Sequence, residues 1–329
     1  MGIRGLNNLL LQYDCIQSFE IIPNNIKIIA IDANLYLYKY MYSKNTELLY
    51  SILNQALKFL SSNIIPIYIF DGKAPDEKNK TIQKRKQKKK NILKKIILLK
   101  QNLKNNPDNQ TIINKIKHLQ KLCKTLSYKI VEDVKCLLNI LNIQYFDASG
   151  EADYLCCKLC KLNIVDACLT EDMDFLLIGS KNIINFKKKG IINYLNKKFI
   201  LKKMNFSENQ LIELCIILGS DYHQYKIKIK SNDVYSNLIK YKNINTWILN
   251  ENNEVIINYL NNCLNIKKFV TKTFNNTPIP KNILKNKKKF IDIKRIQKFF
   301  SVKISQDVFP YHNTFSVKNI IQSINTNNI

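Results

Sequence analysis

The sequence predicts an α/β fold in which a mostly parallel central sheet is flanked by helices. Two short apolar runs rich in β-branched residues, 26–32 and 64–71, each end in an aspartate and are typical of buried strands. Residues 46–60, between them, carry leucine and isoleucine at helical spacing. Together the three segments predict a β-α-β unit, which makes the two strands parallel.

A lysine-dense stretch at 76–129 is predicted to be helical. The segment 105–109, Asn-Asn-Pro-Asp-Asn, is a turn signal within it, so two helices are expected to project as a hairpin. A second α/β half follows. Its predicted elements are a helix at 131–141, a strand at 143–146, a helix at 151–162, a strand at 166–170 and a hairpin at 183–195 around Gly190.

The remainder of the chain is predicted to be mostly helical, with an irregular tail. Ser207 and Gln210 form a plausible capping box ahead of a helix at 211–218. After residue 271 the sequence is polar and contains Pro278 and Pro280, so irregular structure is expected there.

The charge balance indicates a polyanionic partner. Fifty-two basic residues against 25 acidic ones give a net charge of +27, which favours nucleic acid first and an anionic membrane surface second. The bias toward Asn, Ile and Lys is also typical of a low-GC genome, such as that of a large DNA virus or a parasite. No uncharged apolar run approaches the ~20 residues of a membrane helix, so we expect a soluble protein with no membrane partner.

The cysteines indicate a reducing compartment. There are nine of them, an odd number, scattered along the chain rather than spaced as a disulfide framework. We therefore expect the nucleus or the cytoplasm, or a viral replication site if the source is a virus. Cys157 and Cys160 form a CxxC pair without a second pair, and they are interpreted as the apolar face of a helix rather than as a zinc or redox site.

Acidic residues recur at the ends of predicted strands. Asp32 and Asp71 close the first two strands, and Asp172 and Asp174 follow a third, at the sheet edge where parallel strands form a ligand crevice. Glu151 and Asp153 begin a helix, and both reach one site only if it lies over the helix N-terminus. With a further acid in the phrase LGSDY, the candidates are Asp32, Asp71, Glu151, Asp153, Asp172, Asp174 and Asp221.

Carboxylates gathered in one buried site repel each other and protonate unless a cation holds them ionised. An all-oxygen, charge-rich site suits Mg²⁺ or Mn²⁺, and two such ions can activate water and stabilise the leaving oxygen of a phosphodiester. An EF-hand is excluded because its loop pattern is absent from the sequence. For any single aspartate, a helix cap or a solvated turn is the alternative interpretation.

The basic run from Lys78 to Lys90 is the expected phosphate-binding segment. Arg85 is its only arginine, and a guanidinium grips phosphate with two hydrogen bonds where an ammonium cannot. Neighbouring lysines, Lys88 and Lys89 among them, would attract a strand that the carboxylates repel. A solvated helix face is the alternative for the rest of the run.

Six motifs then carry a resemblance to a known family. They are MGIRGL at 1–6, IAIDANLYLY at 29–38, IYIFDGKAPDEK at 67–78, GEADYLCC at 150–157, TEDMDFLLIG at 170–179 and LGSDY at 218–222. In order and spacing over residues 1–225 they resemble the XPG-type flap endonucleases.

The resemblance implies a PIN-like 5′-nuclease fold with a helical cap or arch and a helical C-terminal DNA-binding part. It divides the chain into an N-terminal nuclease region at 1–105, with the arch beginning there and covering about 76–130. An internal nuclease region at 130–225 and a helical or irregular C-terminal region at 226–329 follow.

The implied activity is metal-dependent cleavage of DNA with 5′ flaps, nicks or junctions, with 5′ to 3′ exonuclease action, in replication, repair or recombination. In such an enzyme the seven acids hold two Mg²⁺ ions, for which Mn²⁺ can substitute. Lys78 and Arg85 reach the scissile phosphate, Tyr38 stacks on a base, and Gly2 lies near the active site. A monomer is expected.

The chain departs from the family in three places. Asp153 stands where the family has glutamate. The segment after LGSDY reads HQYKIKIKSND, without the glycines of a duplex-gripping hairpin, so Lys226, Lys228 and Lys230 are expected to hold the duplex by charge alone. Residues 293–300, IKRIQKFF, resemble a sliding-clamp-binding peptide that lacks its leading glutamine, and an ordinary amphipathic helix is the alternative.

Two other functions remain open on the sequence. One is a catalytically weak protein that binds DNA junctions. The other is a related exonuclease, or an RNA-directed nuclease, on the same scaffold.

Overall fold

A computed structural model of the protein describes residues 3–42, 48–105, 107–187, 190–223, 227, 229–283 and 293–304. Its strands are β1 (Gln17–Phe19), β2 (Ile28–Asp32), β3 (Ile65–Phe70), β4 (Tyr145–Asp147), β5 (Ala167–Leu169), β6 (Asn182–Phe186) and β7 (Ile192–Asn196). Among the described residues they form one sheet in the order β1-β7-β6-β5-β2-β3-β4. The run from β6 to β4 is parallel, whereas β7 is antiparallel to both β6 and β1.

Helices cover both faces of this sheet and form the arch and the C-terminal region. They are α1 (Leu6–Gln12), α2 (Ala33–Tyr42), α3 (Leu48–Ser61), α4 (Asn79–Asn105), α5 (Gln110–Leu122), α6 (Tyr128–Ile140), α7 (Ala152–Lys161), α8 (Asp174–Ile178), α9 (Lys197–Met204), α10 (Glu208–Leu218), α11 (Ser231–Tyr241), α12 (Ile244–Leu249), α13 (Glu254–Asn276) and α14 (Ile293–Ile304), with a 3-10 turn at Asp76–Lys78. The predicted α/β class, with a mostly parallel sheet flanked by helices, is confirmed. None of the described helices is both long enough and apolar enough to cross a bilayer.

The central strands are buried on both faces because alternate side chains enter different cores. Ile29 and Ile31 of β2 belong to the apolar cluster that includes α2, α3 and α6, while Ala30 belongs to the cluster that includes α7, α8 and α10. The same alternation places Tyr68 of β3 in the first cluster and Ile69 in the second. This two-sided burial explains why these strands read as continuous apolar runs.

The predicted arch is present as two long helices. Helix α4 has 27 residues, which corresponds to about 40 Å at 1.5 Å per residue. It packs against α5, and Ile96 and Ile116 are buried, one on each helix. The Asn109 side chain accepts the Ile112 N–H and caps α5, so the predicted turn at 105–109 separates the two helices as expected.

The capping box of α10 is also confirmed. The Ser207 hydroxyl accepts the Gln210 N–H, and the Gln210 side chain accepts the Ser207 N–H. Cys157 and Cys160 are buried on α7, as expected for core residues, and all nine cysteines are free thiols.

The C-terminal segment corrects the sequence prediction of an irregular tail after residue 271. Helix α13 continues to Asn276, and α14 follows at Ile293–Ile304. Ile296 and Phe300 of α14 are buried, and the Phe300 ring stacks on Tyr50 of α3 at 4.4 Å. This helix forms because a distant surface accepts its apolar face, which favours the amphipathic-helix interpretation over the clamp-binding peptide. The three-part division of the chain stays a prediction.

Candidate active site

Asp32 and the segment after β5 lie where the order of the sheet changes direction. From β2 the chain first builds outward through β3 and β4, and then returns to place β5 on the other side of β2. Such a switch point opens a crevice at the carboxyl ends of the strands. Asp32 is the last residue of β2, is only 6% exposed, and accepts the Leu35 N–H at 3.1 Å through Oδ1.

The loop after β5 presents two further acids by local hydrogen bonds. The Thr170 hydroxyl accepts the Asp172 N–H at 3.0 Å, and Asp172 Oδ1 accepts the Asp174 N–H at 3.0 Å. Asp174 is buried and begins the short helix α8 rather than ending a strand. Asp172 therefore follows strand β5 as predicted, whereas the position of Asp174 is set by the start of α8.

Asp71 joins the end of β3 to the start of α7. Its Oδ1 accepts the Ala152 N–H at 2.8 Å, and its Oδ2 accepts from the Asn34 amide at 2.8 Å. The two loops approach closely at Gly72, whose N–H donates to the Gly150 carbonyl at 2.6 Å. A Cβ at Gly72 would lie 2.1 Å from the Ala148 carbonyl oxygen, so only glycine fits there.

Glu151 and Asp153 lie at the N-terminus of α7, as the sequence argument required. Glu151 occupies the N-cap position and Asp153 the first turn. Glu151 Oε1 pairs with Lys78 Nζ at 2.7 Å, and Glu151 Oε2 accepts from the Tyr222 hydroxyl at 3.0 Å. Lys78 Nζ also lies 4.6 Å from the centre of the Tyr222 ring.

Asp221 connects the C-terminal region to the base of the arch. Arg85 Nη2 lies 2.6 Å from Asp221 Oδ2, and the Thr81 hydroxyl donates to the Asp221 carbonyl at 3.1 Å. Both partners are on the first turns of α4. The two cations that sequence analysis assigned to phosphate binding, Lys78 and Arg85, are thus each paired with an acid of the site.

The acids are close enough to oppose one another's ionisation. Burial, and then the charges of Asp71 and Asp172, raise the pKa of Asp32 to about 8 against the opposing effect of the Leu35 N–H. Burial and the charge of Asp32 raise the pKa of Asp153 well above its usual range. Burial likewise raises the pKa of Asp172, against the Asp174 N–H bond.

Lys78 counteracts this repulsion. Burial alone would lower its pKa, but Glu151 and Asp153 outweigh that effect and the pKa is raised, so the ammonium stays charged. In turn, the Lys78 charge lowers the pKa of Asp32, Asp153 and Asp172, although burial and mutual repulsion outweigh it.

The residues present fit a divalent metal ion. In the described part of the chain no three acidic, histidine or cysteine side chains form a ready ligand set around one point. The donors are nonetheless all hard oxygens, and the raised pKa values of Asp32, Asp153 and Asp172 indicate a site deficient in positive charge. Asp32, Asp153, Asp172 and Asp174 are the residues that would hold the ion.

We expect Mg²⁺ to stabilise the protein more at about pH 8 than at about pH 6. Unfolded aspartate has a pKa near 3.9, so without metal the folded protein retains protons that the unfolded chain releases. The stability from this source is complete below about pH 4 and is lost as the pH rises through about 8, the folded pKa of Asp32. At the higher pH the ionised carboxylates are free to bind a cation.

Thermal unfolding with EDTA or with Mg²⁺ at the two pH values measures this difference. Asp32→Asn is the informative variant, because it removes a carboxyl whose pKa is raised to about 8 and should reduce the pH dependence of the Mg²⁺ effect. An equal Mg²⁺-induced rise in Tm at both pH values would contradict the expectation.

Four of the other predicted DNA-binding residues lie in the described part of the chain, at least partly exposed. The Tyr38 ring is 38% exposed and stacks on Tyr42 at 6.2 Å on the outer face of α2. Lys88 is exposed on α4, Lys89 is half-buried there, and Lys230 is exposed ahead of α11. Gly2, Lys226 and Lys228 lie outside the described residues.

Sequence reasoning missed three side chains that hold the acids in place. Asn34, Thr81 and Tyr222 each bind a candidate ligand directly. Asn34 and Tyr222 stand in the quoted motifs beside Asp32 and Asp221, so their positions were a usable signal. Thr81 gave none, because its contact joins segments 140 positions apart.

Two family models and several curated proteins match this chain. A family model described as the XPG N-terminal domain matches residues 1–92, and one described as the XPG I-region matches residues 142–221, which together cover just over half of the chain. Flap endonuclease 1 from Entamoeba histolytica is 31% identical over 243 residues, covering 68% of this chain and 62% of the relative. Flap endonuclease 1 from Enterocytozoon bieneusi is 29% identical over 267 residues, covering 75% of this chain and 72% of the relative.

Solved structures show the same fold at lower identity. The catalytic core of Rad2 in complex with DNA substrate superposes with a TM-score of 0.69 at 18% identity, covering 98% of this chain and 100% of that one. Flap endonuclease-1 from Methanococcus jannaschii superposes with a TM-score of 0.64 at 20% identity, covering 95% and 96%. The chain spans less than two thirds of the length of several curated relatives, including the Entamoeba histolytica protein.

Proposed function

This chain belongs to the XPG family, and from that membership we propose that it is a divalent-metal-dependent nuclease that cuts DNA at 5′ flaps, nicks and junctions. The reaction is hydrolysis of a phosphodiester near the junction, releasing the 5′ strand as a flap or as short products. A role in replication, repair or recombination follows from that substrate. Two Mg²⁺ ions, or Mn²⁺ in their place, are the proposed cofactors.

The observation that carries the proposal is the pairing of the acids with the cations of the arch. The seven carboxylates follow β2, β3, β5 and α10 or lie at the starts of α7 and α8, and two of them hold Lys78 and Arg85 at 2.7 and 2.6 Å. A site built only to stabilise the fold has no need of so many neighbouring acids, of which Asp32 and Asp174 are buried. A site that binds both metal cations and a phosphate needs both kinds of charge.

The chain's own residues position and neutralise the substrate. Glu151 and Asp221 hold the Lys78 ammonium and the Arg85 guanidinium beside the acids, where both cations would be within the site to bind the scissile phosphate. Arg85 is 53% exposed at its side chain and lies at the mouth of the site, whereas Lys78 is 14% exposed and lies deeper. Bound metal would supply an activated water and charge stabilisation at the leaving oxygen.

The outer surface of the arch and α2 would guide the strand to this point. The exposed lysines of α4 attract the phosphate backbone that the acidic edge repels, and the exposed Tyr38 ring offers a face on which a base can stack. Lys230, with Lys226 and Lys228, is the proposed contact to the duplex. We expect cleavage and binding to weaken steeply with salt for this reason.

A cleavage assay tests the proposal directly. Purified protein with Mg²⁺ should cut a 5′-labelled flap duplex near the junction and leave a 5′-phosphate, while EDTA should abolish the reaction. Matched nicked, gapped and blunt duplexes rank the substrates, and an RNA flap tests the related RNA-directed activity. Absence of cleavage on every DNA substrate with either Mg²⁺ or Mn²⁺ would leave the junction-binding alternative, which a gel-shift on the same duplexes would detect.

We also propose a compartment and partners for the protein. The nine free thiols support a reducing compartment such as the nucleus, the cytoplasm or a viral replication site. A sliding clamp is a candidate partner, but Ile296 and Phe300 of the candidate peptide are packed inside the protein and would have to undock to reach it. We propose that the protein acts as a monomer.

A further inference from the structure

One four-residue turn carries two side chains of the candidate site. In the turn from Ser220 to His223, the His223 N–H donates to the Ser220 carbonyl at 3.4 Å. Asp221 and Tyr222 are the two central residues. The first of these contacts the arch through Arg85, and the second donates to the acid at the N-cap of α7. The conformation of this turn therefore sets the position of both groups.

The imidazole of His223 also hydrogen-bonds to Ser220 across the same turn. His223 Nδ1 lies 3.0 Å from the Ser220 backbone N–H donor and 3.2 Å from the Ser220 hydroxyl. A ring nitrogen that accepts a backbone N–H carries no proton, so the neutral ring is protonated at Nε2. That nitrogen faces Cys263 Sγ at 3.6 Å, on helix α13.

Helix α13 holds the ring in this orientation. The Tyr259 ring stacks on the His223 ring with 5.5 Å between centroids and 26° between planes. Its hydroxyl donates to the Ile217 carbonyl at 2.7 Å, in the last turn of α10. Tyr259 and Cys263 are four residues apart and so face the same side of α13. His223, Tyr259 and Cys263 are all buried, so these contacts are shielded from water.

We propose that His223 is a positioning residue that fixes the Asp221 turn against helix α13, so that the C-terminal region sets the geometry of the nuclease site. The inference rests on the proposed function for its effect on cleavage. It does not rest on that function for the structural claim, which concerns one hydrogen bond: the Ser220 N–H to His223 Nδ1.

Two substitutions test the two ring nitrogens of His223 separately. In His223→Asn the amide oxygen takes the place of Nδ1 and keeps an acceptor for the Ser220 N–H. In His223→Gln the amide reaches toward Cys263 but leaves that N–H without its acceptor. A residue that only filled space would be replaced about equally well by either.

We expect His223→Gln to raise the Mg²⁺ concentration for half-maximal single-turnover flap cleavage about tenfold, the effect of losing one buried hydrogen bond, and His223→Asn to stay within about threefold of wild type. Metal-free protein gives an independent reading. Backbone hydrogen exchange over residues 217–223 in EDTA should be about tenfold faster in the Gln variant and close to wild type in the Asn variant.

The wild-type protein provides a check that does not depend on the activity of any variant. In a ¹⁵N imidazole spectrum near neutral pH, the His223 signal is identified by its absence in His223→Asn. That signal should show a proton on Nε2 and an unprotonated Nδ1 that accepts a hydrogen bond. A proton on Nδ1, or equal behaviour of the Asn and Gln variants in both cleavage and exchange, would overturn the inference. If the wild type cuts no flap substrate, the proposed function fails, while the exchange and imidazole measurements still decide the role of His223.

Discussion

Replacing Asp174 is expected to abolish cleavage while leaving DNA binding intact. Asp174 is buried at the start of α8, and its backbone N–H rather than its carboxylate anchors the loop to Asp172. Asp174→Ala or Asp174→Asn therefore removes a negative charge from the metal site without removing that anchor. We expect single-turnover cleavage to fall by about a thousandfold or more, since the contributions of metal and charge stabilisation are lost together.

Binding should respond in the opposite way to activity. The exposed lysines of α4 and Lys230 are on other elements than Asp174, so the Kd for a flap duplex in Ca²⁺ or EDTA should stay within about threefold of wild type. Asp14→Asn is the matched control, because Asp14 is exposed after α1 and its positive φ of 48° suits asparagine equally well. Undiminished cleavage by the Asp174 variants would remove this residue from the site.

Replacing the arch cations is expected to produce the second largest loss. Arg85 pairs with Asp221 at 2.6 Å and Lys78 with Glu151 at 2.7 Å. Among the described residues, these are the ion pairs seen for the seven candidate acids. Arg85→Ala and Lys78→Ala should each lower the single-turnover rate by about a hundredfold or more, because the developing phosphate charge loses a preorganised donor.

The chemistry of the arginine allows a finer test. Arg85→Lys keeps the charge but loses the planar pair of donors, so we expect a loss of about tenfold, between wild type and Arg85→Ala. Lys198→Ala, on an exposed position of α9, removes the same charge elsewhere and controls for net charge. Equal rates for Arg85→Ala and Lys198→Ala would show that Arg85 acts only as part of the general positive field.

The Asp174 and Arg85 variants should respond differently to added Mg²⁺. Loss of Asp174 removes metal affinity, so raising the Mg²⁺ concentration should recover part of the activity. Loss of Arg85 removes a phosphate contact, so Mg²⁺ should not restore the rate. Titrating Mg²⁺ against each variant separates a ligand of the metal from a ligand of the substrate.

Much of this site was predictable because its signals are local. The strands ending in Asp32 and Asp71 could be read from a few consecutive residues, since burial on both faces makes such strands apolar throughout. Parallel pairing brings strand ends to one edge, which is why the amino-acid sequence was enough to group Asp172 with them. The capping box at Ser207 is equally local, because its two hydrogen bonds span only four residues.

The remaining features depend on contacts between segments far apart in the chain. For residues 293–300 the sequence offered an amphipathic helix only as the alternative to a clamp-binding peptide, and α14 forms there because α3 and α6 accept its apolar face. The Arg85 and Asp221 pair joins positions 136 apart, and no sequence pattern near either residue predicts this contact. The turn closed by His223 was missed for the same reason, since its supports lie on α13.

The sequence by itself determined the class of fold, the acids and the arch, because periodicity, strand ends and charge runs are properties of neighbouring residues. Only the tertiary structure decided which acid meets which cation, that Asp174 starts a helix, and that His223 supports the Asp221 turn. Each of these depends on the distance between side chains carried by different elements. That distance is fixed by how the two apolar cores pack on the sheet, and no single segment of the chain contains it.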